Sequence, residues 1–310
     1  MKRIFSIIIF AALCVAVNAQ NVDYKVFKKH FNFYVANDLG RNGYYEQPKV
    51  AELMGEMAEK GVDPEFVAAA GDVHHFLGVQ SVFDPLWQTN YEHIYKHPEL
   101  MIPWYPVCGN HEYRGNTSAC IEYSNISRRW CMENRYYAKS FKGKGTSILV
   151  VFLDTPPLID KYVKDTEQYR DACFQDVGRE LMWLDYVLAN ATEQWVVVIG
   201  HHPIYAQSSK AEDERTDMQA RVGSILERHR VDMYINGHLH NFQHIRKKGS
   251  TIDYVTNSSG SLSREVEPQD GTVFCSPKAG FSIVSANSEE LVLRMIGSDG
   301  ELLHEIVRTK

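Results

Sequence analysis

The sequence predicts an α/β-type chain on three observations. Apolar strand-like runs alternate with amphipathic stretches, side chains able to do chemistry fall at the carboxyl ends of those runs, and after residue 242 only short strands and turns remain. The run 31–36 ends at Asn37-Asp38-Leu39-Gly40. The stretch 45–60 carries Val50, Leu53, Met54 and Met57 at helical spacing and stops at Gly61. The run 66–70 then ends at Gly71-Asp72, completing a strand–helix–strand unit. The pattern recurs: 102–107 leads into Gly109-Asn110-His111, 147–153 into Asp154, and 195–199 into Gly200-His201. A helical stretch over 218–229 precedes the run 231–235, which ends at Gly237-His238. Groups outside strand carboxyl ends are where α/β sheets hold their ligands. Strands over 251–256, 281–286 and 291–296 predict a second, antiparallel sheet. The alternation alone fits a doubly wound sheet and two packed sheets equally well.

With 310 residues, 44% of them hydrophobic and 23% charged, the chain has ordinary globular composition. Low-complexity tracts and 20-to-50-residue repeats are missing, so one large domain over 20–310 is expected. A net charge of −6 without a basic stripe argues against a surface that grips nucleic-acid phosphates. Residues 1–19 open with Lys2-Arg3, continue through an apolar run and end at Val17-Asn18-Ala19, which predicts a cleaved signal peptide and a secreted or periplasmic protein. No later run is long and apolar enough to span a bilayer. Without Cys14 the cysteines are Cys108, Cys120, Cys131, Cys173 and Cys275, an odd number, so at least one is free. Cys108 ends an apolar run and is expected buried, while Cys120 and Cys131 flank a short helical stretch and could pair. Asn-x-Ser/Thr sequons stand at Asn116, Asn125, Asn190 and Asn257.

Histidine is the unusual component. Of 13 copies, seven are clustered as His74-His75, His111, His201-His202 and His238-x-His240. The strand ends supply, in order, Asp38, Asp72, Asn110, His111, His201, His238 and His240. Carboxylates, an amide and imidazoles are the donors a two-metal site needs, in which cations about 3.5–4 Å apart are clamped by a shared carboxylate. Imidazole suits zinc or iron, and the oxygen donors suit manganese or iron(III). Singly each is weak: an Asp after a strand is often a helix cap, Gly-Asn is often a turn, and a lone His is more often a core residue.

The blocks Asp38-x-Gly40, Gly71-Asp72, Gly109-Asn110-His111-Glu112, Gly200-His201-x-Pro203 and Gly237-His238-x-His240-Asn241 stand in the order of the calcineurin-like metallophosphoesterases. Their context, above all Gly71-Asp72-Val73-His74-His75-Phe76-Leu77-Gly78-Val79, is similar to that of the small, mammalian-type purple acid phosphatases. The resemblance implies an α+β fold, a two-sheet β-sandwich flanked by helices (αββα). It implies one metal on Asp38, Asp72 and His240, with Asp72 bridging to a second on Asn110, His201 and His238. It further implies hydrolysis of phosphate monoesters by a metal-bound hydroxide, with His111 as the acid for the leaving group. A phosphodiesterase on the same centre is the alternative, and a non-catalytic metal- or phosphate-binding protein a more distant one. Glu112 either orients His111 or is an ordinary loop carboxylate.

One position departs from that family. Three residues after the bridging aspartate, where purple acid phosphatases carry the tyrosinate that colours their iron(III), this chain has His75. A neutral imidazole in place of a phenolate favours iron(III) less, so the two metal ions are expected to be iron, zinc or manganese without an iron(III)–tyrosinate, and His75 is expected to be a ligand. His74 and His202, next to ligand positions, and Arg41, whose planar fork matches phosphate oxygens, are the candidates for substrate contact. The expected partner is a small phosphorylated molecule and the expected state a monomer. Specificity is expected in the rim loops 154–171 and 207–217.

Overall fold

A computed structural model describes residues 22–208 and 212–310. The expected signal peptide, 1–19, lies outside the described residues. In chain order the strands are β1 (Phe31–Ala36), β2 (Pro64–Ala69), β3 (Trp104–Pro106), β4 (Tyr137–Gly143), β5 (Thr146–Phe152), β6 (Trp195–Ile199) and β7 (Met233–Asn236). They continue as β8 (Phe242–Ile245), β9 (Asp253–Thr256), β10 (Thr272–Ser276), β11 (Gly280–Ala286), β12 (Glu290–Gly297) and β13 (Leu302–Thr309). Helices α1 (Gln47–Met57), α2 (Thr117–Glu122), α3 (Asp160–Lys164), α4 (Val177–Ala189), α5 (Glu212–Met218) and α6 (Ser224–Arg228) flank them.

Two mixed sheets result, one six-stranded in the order β13-β12-β11-β1-β2-β3 and one seven-stranded in the order β10-β8-β9-β7-β6-β5-β4. Strands β1, β2 and β3 run parallel, as do β5, β6, β7 and β9. Of these β6 is apolar throughout, and all five of its residues are buried, as a central parallel strand covered on both faces requires. Aromatic rings weld the sheets together. Phe66 of β2 stacks on Phe141 of β4 at 4.4 Å between centroids, and Phe33 of β1 stacks on Phe66 at 4.6 Å.

The strands after residue 242 do not form a sheet of their own, contrary to expectation. Strands β8 to β10 complete the seven-stranded sheet, and β11 to β13 complete the six-stranded one, β11 pairing antiparallel to β1 with Phe31 opposite Ala286. Alternation reveals a strand and its buried face, but not which edge will take it. The expected helix over 218–229 begins earlier, at Glu212, and is interrupted by a wide turn over Gln219–Gly223. Its acidic first turn, Glu212, Asp213 and Glu214, carries no apolar period to mark it.

The parallel order brings the carboxyl ends of both sheets to one edge, and a buried polar network ties them there. Asn257, just after β9, donates to the side-chain oxygen of Asn37 at 2.5 Å and to the carbonyl of Val35 at 3.2 Å. Asn37 in turn donates to Asp38 Oδ2 at 2.6 Å. Asn257 is fully buried, so the surface role its sequon suggests is overridden by the packing.

A second polar clasp joins the sheets elsewhere. His304 on β13 meets His244 Nδ1 on β8 at 3.0 Å, and His244 Nε2 meets Asp253 on β9 at 2.8 Å. Burial, then the neighbouring His244 and Arg246, push His304 from its ordinary 6.5 down to about 4. The unfolded chain therefore binds this proton first as pH falls, so stability declines between about pH 6.5 and pH 4 and the contribution is fully lost below that. In His304→Gln that part of the decline is expected to vanish from the pH profile of the melting temperature; a profile parallel to wild type would assign the decline to other groups.

Candidate metal centre

The loops after the parallel strands are bent sharply to aim side chains at one point. Among the described residues, eight non-glycine residues have positive φ, and four of them are Asp38 (50°), Asp72 (51°), His238 (72°) and His240 (61°). Such left-handed conformations are uncommon outside glycine and persist where the surroundings over-determine them. The surroundings here are specific. The carbonyl of Asp38 accepts from the hydroxyls of Ser259 and Ser261 at 2.8 and 2.6 Å, and its Oδ2 accepts from the backbone N–H of His238 at 2.8 Å. Glu112, 3% exposed, accepts from the backbone N–H groups of Asp72, His74 and Gly109 at 2.9, 3.0 and 2.7 Å, fastening the β2 and β3 loops together. Gly109 has to be glycine, because a Cβ there would lie 2.2 Å from Asp72 Oδ1.

At the focus, three histidines share one arrangement. His201 has Nδ1 on the carbonyl of Ala70 at 2.9 Å, which leaves Nε2 with a lone pair 3.1 Å from Asp72 Oδ2. His240 has Nδ1 on the carbonyl of Leu262 at 2.6 Å, and its Nε2 lies 3.1 Å from Asp38 Oδ1. His238 is reversed, with Nε2 on Glu214 at 2.8 Å and Nδ1 3.1 Å from Asn110 Oδ1. In each case the outer nitrogen holds its proton on a protein acceptor, and the inner one faces another electron-rich atom. A cation between them is what such facing lone pairs call for, so the residues fit a metal centre. His201 Nε2 and Asp38 Oδ1 are buried and have no hydrogen-bond partner. Burial alone would raise the two aspartates, but the imidazoles, His240 for Asp38 and His201 for Asp72, hold both below the usual carboxylate range. Against its own burial, His201 is driven up to about 10 by Asp72 and then Asp38, so a proton competes with a metal for this position.

His75 also turns inward. Its side chain is 1% exposed, Nε2 lies 3.5 Å from Asp72 Oδ2, and neither ring nitrogen has a hydrogen-bond partner. Burial holds it well below its ordinary value, which keeps it neutral. Its inner-facing atoms group with those of Asp38 and His240, and with those of Asp72 and His111. His111 has Nδ1 on the carbonyl of Phe76 at 2.7 Å and Nε2 3.8 Å from Asp72 Oδ2, at the mouth of a cleft of about 580 Å³.

The structure thus brings Asp38, Asp72, His75, Asn110, His111, His201, His238 and His240 together. It does not bring His74 or His202 into the cleft, whereas Arg41 lies close enough to Asp38, Asp72 and His75 to interact with their charges. His74 is fully buried and turned away from the centre, edge-on to Trp87 at 4.6 Å and bonded to Asn90 at 3.0 Å, in a bend that continues as a turn at His75. His202 is buried with both nitrogens occupied, by Thr155 Oγ1 at 2.8 Å and the Tyr162 hydroxyl at 3.0 Å. Arg41 stacks its guanidinium on Phe76 at 4.8 Å, and the cations lining the cleft are Arg114, Lys161 and Arg264. Glu112 neither orients His111 nor is an ordinary loop carboxylate. Cys120 and Cys131 are unpaired, Cys120 buried beside the carbonyl of Asn116 and Cys131 beside that of Arg129, while Cys108 is buried as expected. Sequence reasoning missed Glu214, because nothing in Glu212-Asp213-Glu214 distinguishes the buried carboxylate from its solvated neighbours.

Comparison with known proteins agrees with this geometry. The calcineurin-like phosphoesterase family model matches residues 31–242. Purple acid phosphatase 3 of Arabidopsis thaliana is 32% identical over 298 residues, 90% of this chain and 77% of the relative. Human tartrate-resistant acid phosphatase type 5 is 29% identical, with 77% of each chain covered. Among solved structures, GAP50, described as the anchor in the inner membrane complex of Plasmodium, superposes with a TM-score of 0.76 at 22% identity over 91% of this chain and 89% of its own. The purple acid phosphatase PPD1 of yellow lupin gives 0.62 at 17% identity over 90% of this chain and 54% of its own. An anchor and a phosphatase share the architecture, so the fold does not assign the chemistry. Sequence identity over the length that carries the donor set does: the chain belongs to the calcineurin-like phosphoesterase family and, within it, to the purple acid phosphatases, metal-dependent phosphoric ester hydrolases.

Proposed function

We propose that the chain is an exported, monomeric two-metal phosphatase that hydrolyses phosphate monoesters of small molecules. The observation that carries the reading is the set of three histidines whose outer nitrogens are anchored and whose inner nitrogens face Asp72, Asp38 and Asn110. Export is supported by the basic start, apolar run and small-residue end of 1–19. No helix among the described residues is long and apolar enough to cross a membrane.

In this reading Asp38, His75 and His240 hold one ion, Asn110, His201 and His238 hold the other, and Asp72 bridges. Bound there, the ions supply Lewis acidity at the phosphoryl oxygens and a water acidic enough to ionise near neutral pH. The remaining work falls to the protein. His111 donates Nδ1–H to the carbonyl of Phe76, which fixes the ring with Nε2 toward the cleft, so the proton available to the leaving oxygen sits on Nε2. Burial, only partly offset by Asp72, pulls His111 below its ordinary value. It gives its proton readily and is protonated on the acid side of neutral. Arg114, with one guanidinium nitrogen 3.4 Å from His111 Nδ1 and the other donating to the Tyr169 hydroxyl at 3.0 Å, places fixed positive charge in the lining of the cleft.

The ions are iron, zinc or manganese. A buried imidazole with two unpartnered nitrogens is costly, roughly 1–3 kcal/mol for each polar atom, and ligation by His75 offsets that cost.

Two outcomes follow from these roles. His111→Ala is expected to slow hydrolysis of an alkyl phosphate, a poor leaving group, by roughly 10²–10⁴-fold, and that of a nitrophenyl phosphate far less, with metal content unchanged. Equal losses on both esters would remove the acid role. Iron-loaded wild type is expected to lack a strong visible charge-transfer band and His75→Tyr to gain one. A strong band in wild type, or none in the variant despite full iron loading, would place His75 outside the ligand set.

A further inference from the structure

Behind the candidate second metal site lies a carboxylate that the ligand pattern does not include. Glu214 on α5 has a side chain 1% exposed. Its Oε2 accepts from His238 Nε2–H at 2.8 Å, and its Oε1 accepts from the Tyr162 hydroxyl at 2.6 Å and from Lys161 Nζ at 2.7 Å.

The hydrogen bonds beyond Glu214 can be assigned in only one direction. A carboxylate cannot donate, so Tyr162 O–H points at Glu214 and the phenolic oxygen accepts from His202 Nε2–H, 3.0 Å away. His202 Nδ1 then has no proton and accepts from Thr155 Oγ1–H at 2.8 Å. Thr155 Oγ1 accepts from the backbone N–H groups of His201 and His202 at 3.3 and 3.1 Å. One unbroken chain thus runs from the backbone of His201 to the side chain of His238. Its direction leaves His238 with its proton on Nε2 and a bare Nδ1 facing Asn110 Oδ1 at 3.1 Å.

We propose that Glu214 is the positioning residue of the second metal site: it selects the His238 tautomer whose Nδ1 is open to the metal, and, through Tyr162, His202 and Thr155, it couples His238 to His201. Lys161 is its counter-charge, which lets an ionised carboxylate stay buried. This arrangement explains why His202 is buried beside the centre without reaching it. It also joins the two rim loops, 154–171 through Tyr162 and 207–217 through Glu214, to the metal centre. A carboxylate holding a ligating imidazole from behind raises its basicity as well as fixing its orientation, and losing such a partner typically weakens metal affinity by roughly 10–100-fold.

The proposal rests on the two-metal reading, and its test does not use catalysis. Full-length, metal-depleted protein is titrated with zinc by calorimetry. Wild type is expected to take up two equivalents. In Glu214→Ala the second equivalent is expected to bind roughly 10–100-fold more weakly, while the first stays within about threefold. Two unchanged affinities, or two affinities weakened alike, would overturn the proposal. A measurement on wild type needs no variant to fold: in imidazole ¹H–¹⁵N spectra of the metal-depleted protein, His238 is expected as the Nε2–H tautomer, and an Nδ1–H tautomer would sink the assignment. A chain that binds both ions in a Glu214-dependent way yet cleaves no phosphoester would refute the proposed function and leave this role standing.

Discussion

The edge of the sandwich is organised around one oxygen atom, Oδ2 of Asp72. Three imidazole nitrogens converge on it, from His201 at 3.1 Å, His75 at 3.5 Å and His111 at 3.8 Å, in a site where the carboxylate is 2% exposed. A buried carboxylate needs either positive charge or several donors, because its desolvation is expensive. Asp72 has one firm donor to its other oxygen, the backbone N–H of His111 at 2.8 Å. What balances Oδ2 is therefore a cation or a proton. The anchoring of the outer nitrogens of His201, His240 and His238 turns each inner nitrogen toward the centre, where a metal and a proton compete for the same position.

The remainder of the fold can be understood as the means of holding that geometry. Parallel strands from two sheets deliver their carboxyl ends to one edge, and buried polar side chains lock them across the gap. Asn257 and the serines after β9 fix Asp38 at the end of β1. Glu112 fixes Asp72 to the loop after β3, and the chain from Thr155 to Glu214 fixes His201 to His238. Burial raises Glu112 to about 7, with Asp72 adding to the effect and the backbone N–H groups of Gly109 and His74 opposing it. Positive φ at Asp38, Asp72, His238 and His240 is the backbone consequence of forcing four side chains to one point.

The amino-acid pattern revealed much of this and missed particular things for physical reasons. Strands β1 and β6 are legible to the residue, because central strands buried on both faces are mostly apolar runs that end abruptly at polar loops. The partners of β8 to β13 are not legible, since alternation gives a face and no register. Of the histidines, His75 and His74 part ways because the chain bends and turns there, which their adjacency does not reveal. His202 shows the limit of adjacency: it lies next to His201 and still spends both nitrogens on Thr155 and Tyr162. Glu112 stands in a recognisable block, but its clamp on Asp72 does not show there, and Glu214 carries no local signal at all, because a carboxylate that supports another residue from behind looks, in sequence, like any other acid.

His75 gives the centre part of its character: it is a buried, neutral imidazole 3.5 Å from Oδ2 of Asp72, a donor that adds no negative charge. The claim on which all of this depends is that Asp72 bridges two cations. Anomalous-difference maps from crystals of the manganese- or zinc-loaded protein test it directly. Two peaks about 3.5–4 Å apart are predicted, sharing Asp72, one against Asp38 and His240 and the other against Asn110, His201 and His238. A single peak, or two peaks of which one does not touch Asp72, would contradict it.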